Sequence, residues 1–155
     1  MAPPKSKRQS IIDAVATRLK TISAGATYST SIGSHFRDWK TTTWDQSEIP
    51  GVMIHDMDED VEAGTTREHV KTMHLEINAV VKGGTTTGEE MRKVLADLET
   101  CVKVDETWGG LASRTVYRSN KFSMMQEDVT VAMVQMKIDI EYRVLRYDPY
   151  TEAGQ

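Results

Sequence analysis

The sequence predicts an α+β fold: a mostly antiparallel or mixed sheet of about four to five strands with two main helices packed on one face. Three observations carry that prediction. Two stretches repeat apolar residues at helical intervals, several others alternate apolar and polar residues, and the longest alternating stretch is apolar on one side only. Two helices cannot cover both faces of such a sheet, and the charged side of the last strand agrees that one face stays open. No repeat with a period of about 20–50 residues runs along the chain, which removes solenoids and propellers.

At the start, Pro3 and Pro4 ahead of Lys5, Lys7 and Arg8 make residues 1–8 read as a flexible basic arm. Ser6 and Gln9 have capping-box spacing, and Ile11, Ile12, Val15, Leu19 and Ile22 then recur at helical intervals. A first amphipathic helix is therefore expected to end near Ile22, ahead of Ser23, Ala24 and Gly25. Residues 27–43 are rich in Thr, Ser and aromatic side chains without alternating, and one strand is expected there. Pro50 and Gly51 open another strand, with Val52 and Ile54 on one side and Met53 and His55 on the other. Its continuation, DMDEDVEAGTTRE, reads as a solvated hairpin loop because of its charge and Gly64. Alternation returns over residues 70–81, with Met73, Leu75, Ile77, Ala79 and Val81 opposed to Thr72, His74, Glu76 and Asn78. That strand should pair with the one before it.

Gly83 and Gly84 break the strand, and Thr87 with Glu90 offers a second capping box. Met91, Val94, Leu95, Leu98, Cys101 and Val102 form the stripe of the second helix. In TWGGLASRTVYRSN, Gly109 and Gly110 mark a turn, followed by a short strand to Tyr117; RTVYRSNKFSMM reads as a partner-contacting loop. The last strand places Ala132, Val134, Met136, Ile138, Ile140, Tyr142 and Val144 on one face and Gln135, Lys137, Asp139, Glu141 and Arg143 on the other. From Val129 to Val144 it would reach about 50 Å, against ~17–20 Å for a typical strand, unless a bulge near Lys137 divides it. Residues 9–150 are expected to form one domain, with residues 151–155 as a flexible tail.

The formal net charge of −4 supplies no global positive field for nucleic acid. A single cysteine excludes an internal disulfide and fits synthesis in a reducing cytoplasm. No apolar run approaches the ~20 residues that span a bilayer, and MAPPKSKRQS lacks the apolar segment of a signal peptide, so no membrane partner is expected.

Candidate chemistry is thin. In HDMDED, Asp56, Asp58 and Asp60 have the alternate spacing of a calcium loop, but Val61 and Arg67 stand where that loop needs glycine and glutamate. His69 and His74 fall on opposite sides of a strand; His55 and His74 could meet across paired strands, without a third ligand in view. His35 reads as strand packing. Cys101 lies on an apolar stripe with no neighbouring base. The paired glycines fit neither phosphate-loop nor dinucleotide patterns. Arg114, Arg118 and Lys121 beside Tyr117 and Phe122 mix basic and aromatic groups, yet acidic runs elsewhere oppose a nucleic-acid strand. Met124, Met125, Met133 and Met136 suit core gaps or a contact surface. No catalytic, cofactor-binding or metal-ligating residue is expected.

The order of signals resembles the tail terminator proteins of long-tailed bacteriophages. An opening helix, RQSIIDAVATRLKTI, precedes the strand start QSEIPGVMIHDMDEDVE and the alternating strand HVKTMHLEINAVV. Then come the helix TGEEMRKVLADLETCV, the turn TWGGLASRTVYRSN and the closing strand IDIEYRVLRYDPY, so the resemblance covers residues 9–149. It implies a sheet with helices on one side, no catalytic residues, and copies that form a hexameric ring. The ring would cap the tail tube at the head-proximal end of the virion, stop its growth and face the head connector. Implied partners are further copies of the chain, the major tail tube protein and neck proteins; neck and minor tail proteins share much of the pattern.

Length, charge and one-sided patterning nominate Asp58, Glu59, Glu62, Arg114, Arg118, Lys121, Lys137, Asp139, Glu141 and Arg143 as subunit or partner contacts. The acidic segment is expected to meet a basic neighbour surface such as Arg114 and Arg118, so that lysine at positions 58 and 59 weakens assembly. Three other readings stay open: a head–tail connector or tail completion protein, a small metal-dependent enzyme using His55, Asp56 and Asp58, and a nucleic-acid binder through residues 114–121.

Overall fold

Alternating segments dominate the chain, and in the computed structural model, which describes residues 3–126 and 130–151, they become one five-stranded sheet. The strands are β1 (Phe36–Asp38), β2 (Gly51–Ala63), β3 (Glu68–Lys82), β4 (Arg114–Gln126) and β5 (Thr130–Leu145). They lie in the order β1-β2-β3-β5-β4. β1 runs parallel to β2 and the other junctions are antiparallel, so the sheet is mixed. Helices α1 (Lys7–Leu19) and α2 (Thr87–Lys103) pack against it, which makes the fold α+β.

The even residues of β5 from Ala132 to Val144 are all buried, and they join Ile11, Val15 and Leu19 of α1 and Val94, Leu98 and Cys101 of α2 in one core. A register slip of one residue would turn all seven of those β5 side chains to the open face, so hydrophobic burial fixes the pairing. Cys101 sits inside this core, where burial pushes its thiol up to about 11. It is a small apolar packing group.

Several connections hold the layers together. Asp97 of α2 is buried and accepts hydrogen bonds from Ser29 N (2.9 Å), Thr30 N (2.8 Å) and Thr30 Oγ1 (2.6 Å), tying the segment after α1 to α2. Beyond α2, Trp108, Gly109 and Gly110 all have positive φ, the turn expected from the paired glycines. That turn drives the Trp108 ring into the core, where its Nε1 donates to Thr115 Oγ1 of β4 at 2.8 Å and the Arg18 guanidinium stacks 3.9 Å from its centroid. At the start of α1, the Lys7 amide donates to the Pro149 carbonyl at 2.8 Å.

The structure corrects several expectations. DMDEDVEA is the second half of β2, and the hairpin turn is confined to residues 64–67. RTVYRSNKFSMM is β4, an edge strand. Helix α1 begins at Lys7, inside the segment read as an arm, because the Ser6 side chain accepts from Gln9 N; it ends at Leu19, and Ile22 is buried just beyond it. Thr87 is the first residue of α2 and forms no capping box; its hydroxyl is engaged by Gly84. The strand expected in residues 27–43 is only the three residues of β1. β5 pairs with β3 without interruption, and the bulge lies in β4, between Tyr117 and Ser119. Val129, the expected start of the last strand, and residues 1–2 and 152–155 of the expected tails lie outside the described residues, as does the Met125 side chain.

Candidate functional site

Alternation on β3 and β5 puts His74, Glu76, Lys137, Asp139, Glu141 and Arg143 on the face that carries no helix. The antiparallel register sets His74 opposite Asp139 and Glu76 opposite Lys137. Opposite charges therefore meet across strands: Lys137 with Glu76 at 3.6 Å, Arg114 with Glu141 at 3.2 Å, Arg143 with Glu68 at 3.0 Å and Arg118 with Asp139 at 2.5 Å.

The centre of this face is the chain His74, Asp139 and Arg118. His74 Nδ1 lies 2.6 Å from Asp139 Oδ1, its Nε2 lies 2.9 Å from Asp60 Oδ2, and Arg118 Nε donates to the other Asp139 oxygen. Together with Met57, Asp58, Glu76 and Lys137 they line an open hollow of about 400 Å³. The hydrogen bonds to Asp139 and then Asp60 raise the His74 pKa above its ordinary value, against an opposing effect of burial. Burial pushes the Asp139 carboxyl up, but the hydrogen bonds from His74 and Arg118 outweigh it and hold the pKa below the ordinary carboxylate value.

A raised His74 pKa stabilises the fold below the unfolded histidine value of about 6.5, and that contribution is lost as pH rises through the folded pKa. The melting temperature of the native chain should therefore fall from about pH 6.5 upward relative to that of His74→Gln. Parallel pH profiles of the two proteins would show that the imidazole is not held by those carboxylates.

The two outer edges of the sheet differ in charge. β1 pairs with β2 only through Ile54, so among the described residues no strand lies on the outer side of residues 57–63 of β2, MDEDVEA. They carry four acidic residues and no basic one. β4 forms the opposite edge; RTVYRSNKFSMMQ carries three basic residues and no acidic one. A bulge between Asp56 and Glu59 reverses the facing of β2 along this stretch. Glu59 consequently turns to the helix side, accepting from the Tyr142 hydroxyl and lying 3.6 Å from Arg8 and 3.8 Å from Lys71. Asp60 and Glu62 fall on the open face.

Of the ten nominated contact residues, Glu59, Arg114, Arg118, Lys137, Asp139, Glu141 and Arg143 already have ion-pair partners within the chain. Asp58, Glu62 and Lys121 have none among the described residues, and Asp58 and Glu62 are exposed. Sequence reasoning missed the pairing of His74 with Asp139 and Asp60. The signal was the shared polar face of two strands, readable only once their register is known.

The acidic trio does not converge. Asp56 binds Arg8 and Trp39, while Asp60 binds His74. His55 packs on the Trp39 ring, His69 packs on Tyr147, and His74 is held by Asp139 and Asp60. Among the described residues no group of three or more His, Cys, Asp or Glu side chains could hold a metal ion. No described helix is long and apolar enough to cross a membrane.

Fold and site together define an α+β protein with a charged open sheet face between an acidic and a basic edge. No protein-family model matches the chain, and no curated protein matches it.

Proposed function

We propose that this chain is a structural assembly protein of a long-tailed bacteriophage, whose copies cap the finished tail tube as a ring and end its polymerisation. The ring sits at the head-proximal end of the tail and offers the surface that the neck connector joins. The observation that carries this reading is the sheet: one face free of helices, bounded by a 13-residue edge strand with no outer partner. An unpaired edge of that length presents a row of N–H and C=O groups that a neighbouring chain can pair with. The order of elements over residues 9–149, helix, strands, helix, strands, adds to it. The reading assigns the chain no catalytic residue.

A phage lacking this chain is expected to make tail tubes of uncontrolled length, visible by electron microscopy. Purified protein added to such tubes should form a ring at one tube end. Tubes of normal length in its absence would overturn the terminator reading, and density on the connector instead would move the chain to the neck.

A further inference from the structure

We infer that the chain assembles head to tail through its sheet edges, the acidic outer edge of β2 in one copy adding antiparallel to the basic outer edge of β4 in the next. The inference rests on the ring reading above and names its contact. Three features support it.

The first is strand direction. β2, β3, β5 and β4 alternate in direction across the sheet, and four is an even number, so β2 and β4 run oppositely. A cyclic repeat about an axis roughly parallel to the strands therefore brings the first part of β4, up to its bulge, antiparallel to residues 57–63 of the next β2; at the level of Val52 to Ile54 the outer side of β2 is taken by β1, so the rest of β4 lies outside the contact. The second is height. Arg114 is level with Asp60, through Glu141 and Thr72, and Val116 is level with the bulge that holds Asp58, through Asp139 and His74. Asp58 and Asp60 of one copy then interleave with Arg114 and Arg118 of its neighbour at cross-strand distances.

The third is charge. Two β4 edges brought together would set arginines against arginines, and two β2 edges would oppose carboxylates, so both isologous pairings are repelled. Only the unlike pairing is attractive, and it is heterologous, the kind that closes rings. Asp139 and Glu141 hold Arg118 and Arg114 from within the chain, yet these side chains remain 57% and 65% exposed. They are anchored and still accessible to a second carboxylate.

The test uses charge exchange in the full chain. The variant Asp58→Lys with Glu62→Lys carries basic residues on both edges, and Arg114→Glu with Arg118→Glu carries acidic ones. Each alone should associate about 10–100-fold more weakly than the native chain in analytical ultracentrifugation. Mixed in equal amounts they should recover rings of alternating copies, a gain that an unfolded variant cannot produce. The neutral pair Asp58→Asn with Glu62→Gln should lie between native and reversed. Native rings unaffected by either reversal, or folded variants that do not rescue each other, overturn the edge pairing while leaving the ring reading intact; the charges then only guard the edges against aggregation. A native chain that stays monomeric up to about 1 mM and on tail tubes overturns both.

Discussion

Trp108→Ala is expected to lower the unfolding free energy by about 3–5 kcal/mol, the cost of emptying a large buried aromatic site. Trp108 is 1% exposed and touches three elements at once: Arg18 of α1 stacks on its ring, Thr115 of β4 accepts its Nε1–H, and its own turn leaves α2. Removal opens a cavity and also leaves the Arg18 guanidinium, which donates to the Asp105 carbonyl at 2.7 Å, without its aromatic support. Trp108→Phe, which fills most of the volume but cannot donate, should recover more than half of the loss. Urea titration measures both, and a loss below about 1 kcal/mol for the alanine variant would mean that the turn is not pinned by this ring.

Asp97→Ala comes next, with an expected loss of about 3–4 kcal/mol. The substitution removes the acceptor of three hydrogen bonds and strands two backbone amides, one of them buried. Asp97→Asn keeps one carbonyl acceptor but places an amide donor against an N–H, so it should recover little. Hydrogen exchange offers a second readout. The amides of Ser29 and Thr30 should lose protection in the alanine variant before those of α2 do. Unchanged protection at those two amides would contradict the anchoring role.

Parts of the fold were legible because burial is periodic. β5 and the middle of β3, from Thr72 to Ile77, alternate, and α2 carries a clean stripe, so their positions follow from which side chains must leave water. β2 and β4 were misread for a shared physical reason. β4 is an edge strand and β2 is open on its outer side beyond Ile54; each has a bulge, after Asp56 in one and at Arg118 in the other, and a bulge shifts the phase of alternation mid-strand. Before the shift in β4, Thr115 and Tyr117 share the helix side; after it, Asn120 and Phe122 do. No single period fits the whole segment. Edge strands also tolerate charge, so MDEDVEA has the composition of a loop while its backbone pairs with β3.

The candidate site divides the same way. Its residue types were visible, and the polar face of β5 was placed correctly. Which of its charges are satisfied within the chain depends on pairs such as His74 and Asp139, 65 positions apart, whose meeting is set by strand order and register. Glu59 is the clearest case. By composition it belongs with Asp58 and Glu62, but the bulge turns it inward to Tyr142, so lysine at position 59 would perturb folding as well as any interface.

The bond between the Lys7 amide and the Pro149 carbonyl has a practical bearing on how the chain is handled. Both described ends of the polypeptide leave from one corner, and Pro149 there shares a surface hollow with Val61 of the acidic edge. An affinity tag or fluorescent fusion joined close to Lys7 or Pro149 is thus next to the edge whose contacts are to be measured. The exposed Gly84, two residues beyond the last residue of β3 and with open space around it, lies at the opposite end of the sheet and is the better point for a label.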